Sequence, residues 1–246
     1  MTFRLSWTQY AMFRECPHKW YGIYPARLIP PTKNINLQVG SAMHEAIACA
    51  LGDWNGIKHT PAEMVGIFSK HLKQDGVVDP DQLQYQTLVG QNMILAWYGW
   101  MTQQDFQVEE IEKKITLVDF VGVVDCIATV NGEKFIIDWK TSSSQYSQER
   151  ADKDEQVTVY RWLTGLDAKV AYGVLIKGAS RFQFLVSNRS QESIVNFLAN
   201  LEKVRAEIRL YHSLEEAPKK PGKHCQYCDL YTALLCEGED DFWRHV

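Results

Sequence analysis

The sequence has no apolar run of about 18 residues, the length that carries a helix across a bilayer, so no membrane span is expected. Its opening, Met1-Thr2-Phe3-Arg4-Leu5-Ser6, lacks the apolar stretch and small-residue cleavage site of a secretory signal, which points to a cytoplasmic chain. Positive charge is in short supply: 26 Lys and Arg stand against 30 Asp and Glu, a formal charge of -4. That excludes holding nucleic acid by a global basic surface and leaves only a local patch. No internal repeat or low-complexity segment occurs, which excludes solenoid and fibrous architectures. Cysteines are few, six in 246 residues, and in a reducing compartment they read as free thiols or metal ligands rather than disulfides.

What is present is enough apolar material, 46% of the chain, for a real core in one large domain. Ser6 reads as the N-cap of a helix to about residue 15, and Pro17 suits the first turn of another to residue 24. Pro25, Pro30 and Pro31 mark an irregular stretch. Gly40 and Ser41 open a helix to about residue 51, and helical periodicity returns at 61–74 and 82–103. The middle changes character, with strands expected at 108–116, 118–130 and 133–140. A helix over 154–163, a hairpin of 170–176 with 181–186 turning at Gly178, and a long helix over 191–211 follow. The order predicts an α/β fold with a mixed sheet.

Asn131-Gly132, between two Val-, Ile- and Phe-rich runs, is a strong two-residue hairpin signal. Val130 then faces Glu133, and counting back along both strands brings Asp125 opposite Asp138. Facing carboxylates in apolar runs repel one another, and a divalent cation between them relieves the repulsion. Side chains alternate along a strand, so Lys140 shares the face of Asp138, while Phe135, Ile137 and Trp139 turn to the core. Two carboxylates, an ammonium and a metal-bound water make a hydrolytic set. A half-buried hairpin with an Asp–Lys ion pair is the other reading of the same residues.

Gly122-Val123-Val124-Asp125, twelve intervening residues and Asp138-Trp139-Lys140-Thr141 resemble the core of the RecB-like branch of the PD-(D/E)XK nucleases. Further pieces follow that family's order. Leu5-Ser6 through Cys16-Pro17-His18-Lys19-Trp20 resembles its opening helix, and Gly40 through His44-Glu45 its histidine helix. Residues 156–160 resemble its Gln-x-x-x-Tyr helix, and Cys225-Gln226-Tyr227-Cys228 through Cys236 the cysteine tail of iron–sulfur members such as AddB-type and CRISPR-associated RecB-like nucleases.

The resemblance implies a restriction-endonuclease-like core (105–212), an N-terminal helical insertion (1–104) and a cysteine-clasped C-terminal tail (213–246). It implies Mg²⁺ or Mn²⁺ held by His44, Asp125, Asp138 and the backbone carbonyl of Trp139, with Lys140 positioning or activating water. Gln156 and Tyr160, one turn apart, would orient the lysine or touch DNA. Glu45 should face elsewhere.

Cys225 and Cys228 form a tight chelate for a soft metal, with Cys236 after seven more residues, farther than those members usually place it. Cys16 matches the family's N-terminal cysteine and would be the fourth ligand of a 4Fe-4S cluster. A Zn²⁺ site, in which His224 could replace one thiol, and an unmetallated group stay open. Cys49 and Cys126 read as small core residues.

Lys219, Lys220 and Lys223 near the tail, with Arg14, His18 and Lys19 beside Cys16, form a basic patch for DNA phosphates or a solvated linker. Trp20, Tyr21 and Tyr24 could stack on bases or belong to the core. The expected activity is hydrolysis of DNA, exonucleolytic on ends or single strands. A structure- or site-specific endonuclease, and a non-catalytic nucleic-acid-binding subunit with a structural metal, are the alternatives.

Overall fold

The computed structural model describes residues 4–28, 34–52, 59–77, 79–117 and 119–236. Pro30, Pro31 and the expected strand start at Val118 lie outside them. The backbone forms a mixed α/β structure with a six-stranded sheet of β1 (Leu5–Ser6), β2 (Phe106–Thr116), β3 (Phe120–Val130), β4 (Glu133–Ser142), β5 (Lys169–Ile176) and β6 (Arg181–Ser187), in the order β1-β3-β4-β5-β6 with β2 pairing with β3. The chain divides into two compact units, one of Met1–Lys33, Val118–Val121 and Val195–Val246, the other of Asn34–Leu117 and Gly122–Ile194.

In the first unit, β1 (Leu5–Ser6) pairs in parallel with the start of β3 (Phe120–Val130). Ser6 caps α1 (Trp7–Glu15) by accepting from the Gln9 backbone N–H, and Pro17 opens α2 (Pro17–Ile23). The greater part of α8 (Gln191–Ile208) lies here, followed by a 3-10 turn at Lys223–Tyr227 and the short α9 (Asp229–Thr232). Phe13, Tyr10, Trp20, Phe120 and Phe197 are buried and form edge-on ring contacts, the packing their quadrupoles favour.

The second unit begins with α3 (Ile35–Leu51), α4 (Pro61–Gln74) and α5 (Pro80–Met101). α3 starts well before the Gly40 expected from sequence. Asn34 supplies the cap, and Gly40 sits inside the helix opposite the Thr141 hydroxyl. Thr60 and Glu63 cap α4 reciprocally. β2 (Phe106–Thr116), β3 and β4 (Glu133–Ser142) follow. Asn131 and Gly132 both have positive φ, as a type I′ turn requires, and the register Val130↔Glu133 continues to Cys126↔Ile137.

β4 then pairs in parallel with β5 (Lys169–Ile176), and β5 antiparallel with β6 (Arg181–Ser187). Between β4 and β5 run α6 (Gln148–Lys153), unforeseen from sequence, and α7 (Gln156–Thr164). Trp139 sends its indole into the core beside Trp97, centroids 6.1 Å apart. It lies over Gly173 of β5, where a Cβ would come within 2.2 Å of the ring. The missing side chain thus admits the indole and locks the backbone of β4 next to Asp138 and Lys140.

Candidate active site

The site grows out of the place where the β3–β4 ladder stops. Past Cys126↔Ile137, regular alternation would send the Trp139 N–H to the Val124 carbonyl. It goes instead to Asp125 Oδ2, at 2.8 Å. A side chain has replaced a ladder carbonyl, which pins the buried carboxylate without any ion. Burial, then the charge of Asp138, holds the Asp125 carboxyl well above the usual carboxylate range.

Asp138, 1% exposed, uses its two oxygens differently. Oδ1 accepts from the Tyr160 hydroxyl at 2.9 Å and from Gln156 Nε2 at 3.1 Å. Oδ2 lies 2.7 Å from the Lys140 ammonium yet has no well-aligned hydrogen bond. Lys140 Nζ donates to Gln156 Oε1 at 2.8 Å and stands 5.7 Å from the Tyr172 ring centroid. Burial works against its charge, but Asp138, Asp125 and Asp154 outweigh that and raise its pKa. Gln156 is fixed at the start of α7, where Asp154 Oδ1 accepts from its backbone N–H.

His44 enters from α3. The Trp139 carbonyl can only accept, so the His44 Nε2 that faces it at 2.7 Å carries the proton. Nδ1 then turns a lone pair toward Asp125 Oδ2, 3.5 Å away. Burial keeps the imidazole pKa below its usual value, so it is neutral at pH 7. A lone pair facing a carboxylate is a poor contact unless a proton or a cation lies between them.

Sequence reasoning missed Glu112. It lies on β2, with ligand atoms of His44, Glu112 and Asp125 all within 4.8 Å of one another. Partial burial, then Glu45 and Asp138, raise its pKa. Its φ of 46° is a left-handed conformation costing a non-glycine residue on the order of 1–2 kcal/mol. The signal available was the broken apolar–polar alternation at Glu109-Glu110, which slips the acids that follow onto the other face. Glu45, expected to face elsewhere, accepts from the Cys49 thiol at 3.5 Å yet lies near enough for its charge to act on Glu112; Cys49 is half-exposed rather than a core residue. Cys126 is fully buried.

Residues 4–233 match the PD-(D/E)XK nuclease superfamily. The chain belongs to that superfamily. Its sheet and flanking helices are therefore a restriction-endonuclease-like core, and the protein is a nuclease, a hydrolase acting on nucleic acid. No curated protein matches the chain. One solved structure, described as "Crystal structure of SSO0001", aligns over 79% of this chain and 84% of its own, at 13% identity and a TM-score of 0.34. That likeness is too slight to support any further argument.

The other residues singled out from sequence lie in the first unit of this nuclease. Cys16, Cys225 and Cys236 are half-buried and Cys228 is buried, all as free thiols. Burial raises the Cys236 pKa, and Cys228, Cys16 and Cys225 lie close enough to add to it. Lys219, Lys220 and Lys223 are exposed. Lys19 is held by Glu15 at 3.3 Å. Trp20 is 2% exposed and cannot stack on a base, because it closes the floor beneath α1 and α2. His18 is also buried, its Nδ1–H shared between the carbonyls of Leu214 and Ala217 at 3.1 and 3.2 Å, and is no phosphate contact.

Proposed function

We propose that the protein is a divalent-metal-dependent DNA nuclease of the RecB-like branch, acting from Asp125, Asp138 and Lys140. The observation that carries this is the convergence of the neutral His44 Nδ1, Asp125 and Glu112 beside Asp138, whose buried Oδ2 has the Lys140 ammonium at 2.7 Å as its partner. Such a set of hard oxygen donors and one imidazole suits Mg²⁺ or Mn²⁺. His44, Glu112, Asp125 and Asp138 would hold the ion, and the Trp139 carbonyl keeps a second lone pair for it beside the His44 bond. When bound, the ion supplies Lewis acidity toward the scissile phosphate and lowers the pKa of a water.

The protein's own groups do the rest. Gln156 and Tyr160 orient Asp138 through Oδ1, which leaves Oδ2 for the site. Gln156 also steers Lys140. In the metal-free site Asp138, Asp125 and Asp154 raise the Lys140 pKa. Lys140 is placed to position or activate the attacking water and to steady negative charge on phosphorus. The purified protein should degrade DNA with Mg²⁺ or Mn²⁺ and stop in excess EDTA; undiminished cleavage in EDTA would refute the metal mechanism. Exonucleolytic action rests on the RecB-like resemblance, and covalently closed circular DNA tests it: an exonuclease leaves the circle intact, an endonuclease opens it.

The reading extends to a 4Fe-4S cluster on Cys16, Cys225, Cys228 and Cys236. The first 33 residues and residues 195–246 share one compact unit, which supports a clasp between chain ends. Among the described residues no three of these thiols fall within 4.8 Å of one another.

A further inference from the structure

Within the first unit, a cavity of about 210 Å³ is lined by Phe13, Arg14, Asn200, Lys203, Val204, Glu207 and Lys220. Its floor is apolar, with Phe13 1% and Val204 6% exposed. Its rim is cationic and assembled from three separate parts of the chain. Arg14 projects from the end of α1, its guanidinium anchored on the Tyr10 hydroxyl at 3.2 Å and ring. Lys203 stands on α8 with Asn200 and Glu207 at helical spacing, and so on one face. Lys220 arrives from the segment before Cys225, and its Nζ reaches the Arg14 carbonyl at 3.4 Å.

The decisive feature is the pairing. Among the described residues, neither Lys203 nor Lys220 has a carboxylate within ion-pair distance, although Glu207 lies on the same wall. Lys220 is instead drawn against the residue that carries another cation. A chain with net negative charge has spare carboxylates to neutralise a lysine, and here they are not used. Two lysines with no carboxylate partner among the described residues, set around a concave and apolar-floored pocket, repel one another until an anion enters.

We propose that this pocket is a phosphate-binding subsite for the DNA strand, with Lys203, Lys220 and Arg14 as its donors. The inference rests on the nuclease reading and names a contact outside the acids that cut. Ammonium groups suit a phosphate as point charges, and the guanidinium adds a directional donor. Asn200 can donate a neutral hydrogen bond beside them. A phosphate within the strand and a terminal 5′-phosphate present the same chemistry, so the substrates in the test must separate them.

The test measures DNA affinity of the whole protein in EDTA, where no cutting occurs, across salt from about 50 to about 200 mM. Matched single strands and duplexes carry either 5′-phosphate or 5′-hydroxyl ends. Lys203→Ala/Lys220→Ala should flatten the salt dependence by about 0.9 on duplex and about 0.7 on single strands, the share of one phosphate. Glu207→Gln, which removes the acid, should tighten binding, a gain that misfolding cannot imitate. Lys153→Ala, an exposed lysine paired with Glu149, should leave the slope at its wild-type value. A slope lost equally on both end types assigns the pocket to an internal phosphate. A loss confined to 5′-phosphorylated ends assigns it to the terminus. A wild-type slope in the double variant, or an equal loss from Lys153→Ala, overturns the subsite. A wild-type protein that cuts DNA beside an unaffected double variant sinks this inference alone, whereas a wild-type protein that neither cuts nor binds DNA sinks the nuclease reading.

Discussion

The acid hairpin and the cysteine segments place reactive side chains by opposite means. Asp125 and Asp138 stand on paired strands, the first held by a hydrogen bond from the Trp139 N–H and the second by those from Tyr160 and Gln156. Cys16 caps the end of α1, Cys225 lies in a 3-10 turn, Cys228 caps the four-residue α9, and Cys236 follows that helix by four residues. Backbone pairing makes the first site rigid before any ion arrives, so its carboxylates remain together and desolvated at a cost in free energy. The thiols have no such scaffold, and their spacing depends on whatever binds them. A metal at the acids should therefore change chemistry more than stability, and a metal at the thiols stability more than chemistry.

The largest effect that could break this contrast is at Lys140. Lys140→Ala should cut cleavage by about 10²–10³-fold or more, because it removes a donor aimed at developing charge. Calorimetry should still find Mn²⁺ binding, since Asp138 loses only its competing cation, whereas Asp138→Ala should bind none. Wild-type turnover in Lys140→Ala would show that another group handles the water.

On the thiol side, Cys16→Ser should abolish brown colour and iron content in anaerobically purified protein. It should lower the melting point by roughly 10 °C, the scale of losing a cross-link that closes a long loop. Stoichiometric zinc without iron, or an unchanged melt, would remove the clasp from the comparison.

A smaller change sharpens the rigid side. Tyr160→Phe removes one donor to Asp138 Oδ1 and should slow cleavage about tenfold, some 1.4 kcal/mol. A full wild-type rate would mean that Gln156 alone orients the carboxylate.

The smallest effect is in pH. Asp125 has a folded pKa raised above its ordinary 3.8, so between those values the metal-free fold binds more protons than the unfolded chain. Its stability contribution is thus lost as pH rises through that window. A cation displaces the same proton, so Mg²⁺ should raise the melting point more at about pH 8 than at about pH 5.5. An equal shift at both would deny the link between Asp125 and the ion.

Much of this was legible in the sequence where a local rule fixes a long-range fact. Asn131-Gly132 demands one turn type, and the turn fixes the register that brings Asp125 to Asp138. Ser6 and Pro17 announce their helices in the same way. Glu112 was missed, because the break in alternation at Glu109-Glu110 says that later side chains change face but not which groups of distant segments they then meet. Gly40 misled about the start of α3, since a glycine tolerated inside a helix, here with only Thr141 Oγ1 at 3.6 Å from a built Cβ, looks the same as one that marks a helix end. Trp20 beside basic residues resembled a stacking platform, and only its neighbours Phe13 and Tyr24 reveal it as core. The family match reached nearly the whole chain, but the roles of individual residues rest on this geometry.

The left-handed backbone at Glu112 bears on how this enzyme could be engineered. Glycine accepts that conformation freely, so Glu112→Gly should make the protein sturdier while deleting a carboxylate from the metal's surroundings. A melting curve and a metal titration would read the two consequences separately. A search that selects variants for heat resistance alone would be drawn to this position, and would weaken the metal site by succeeding.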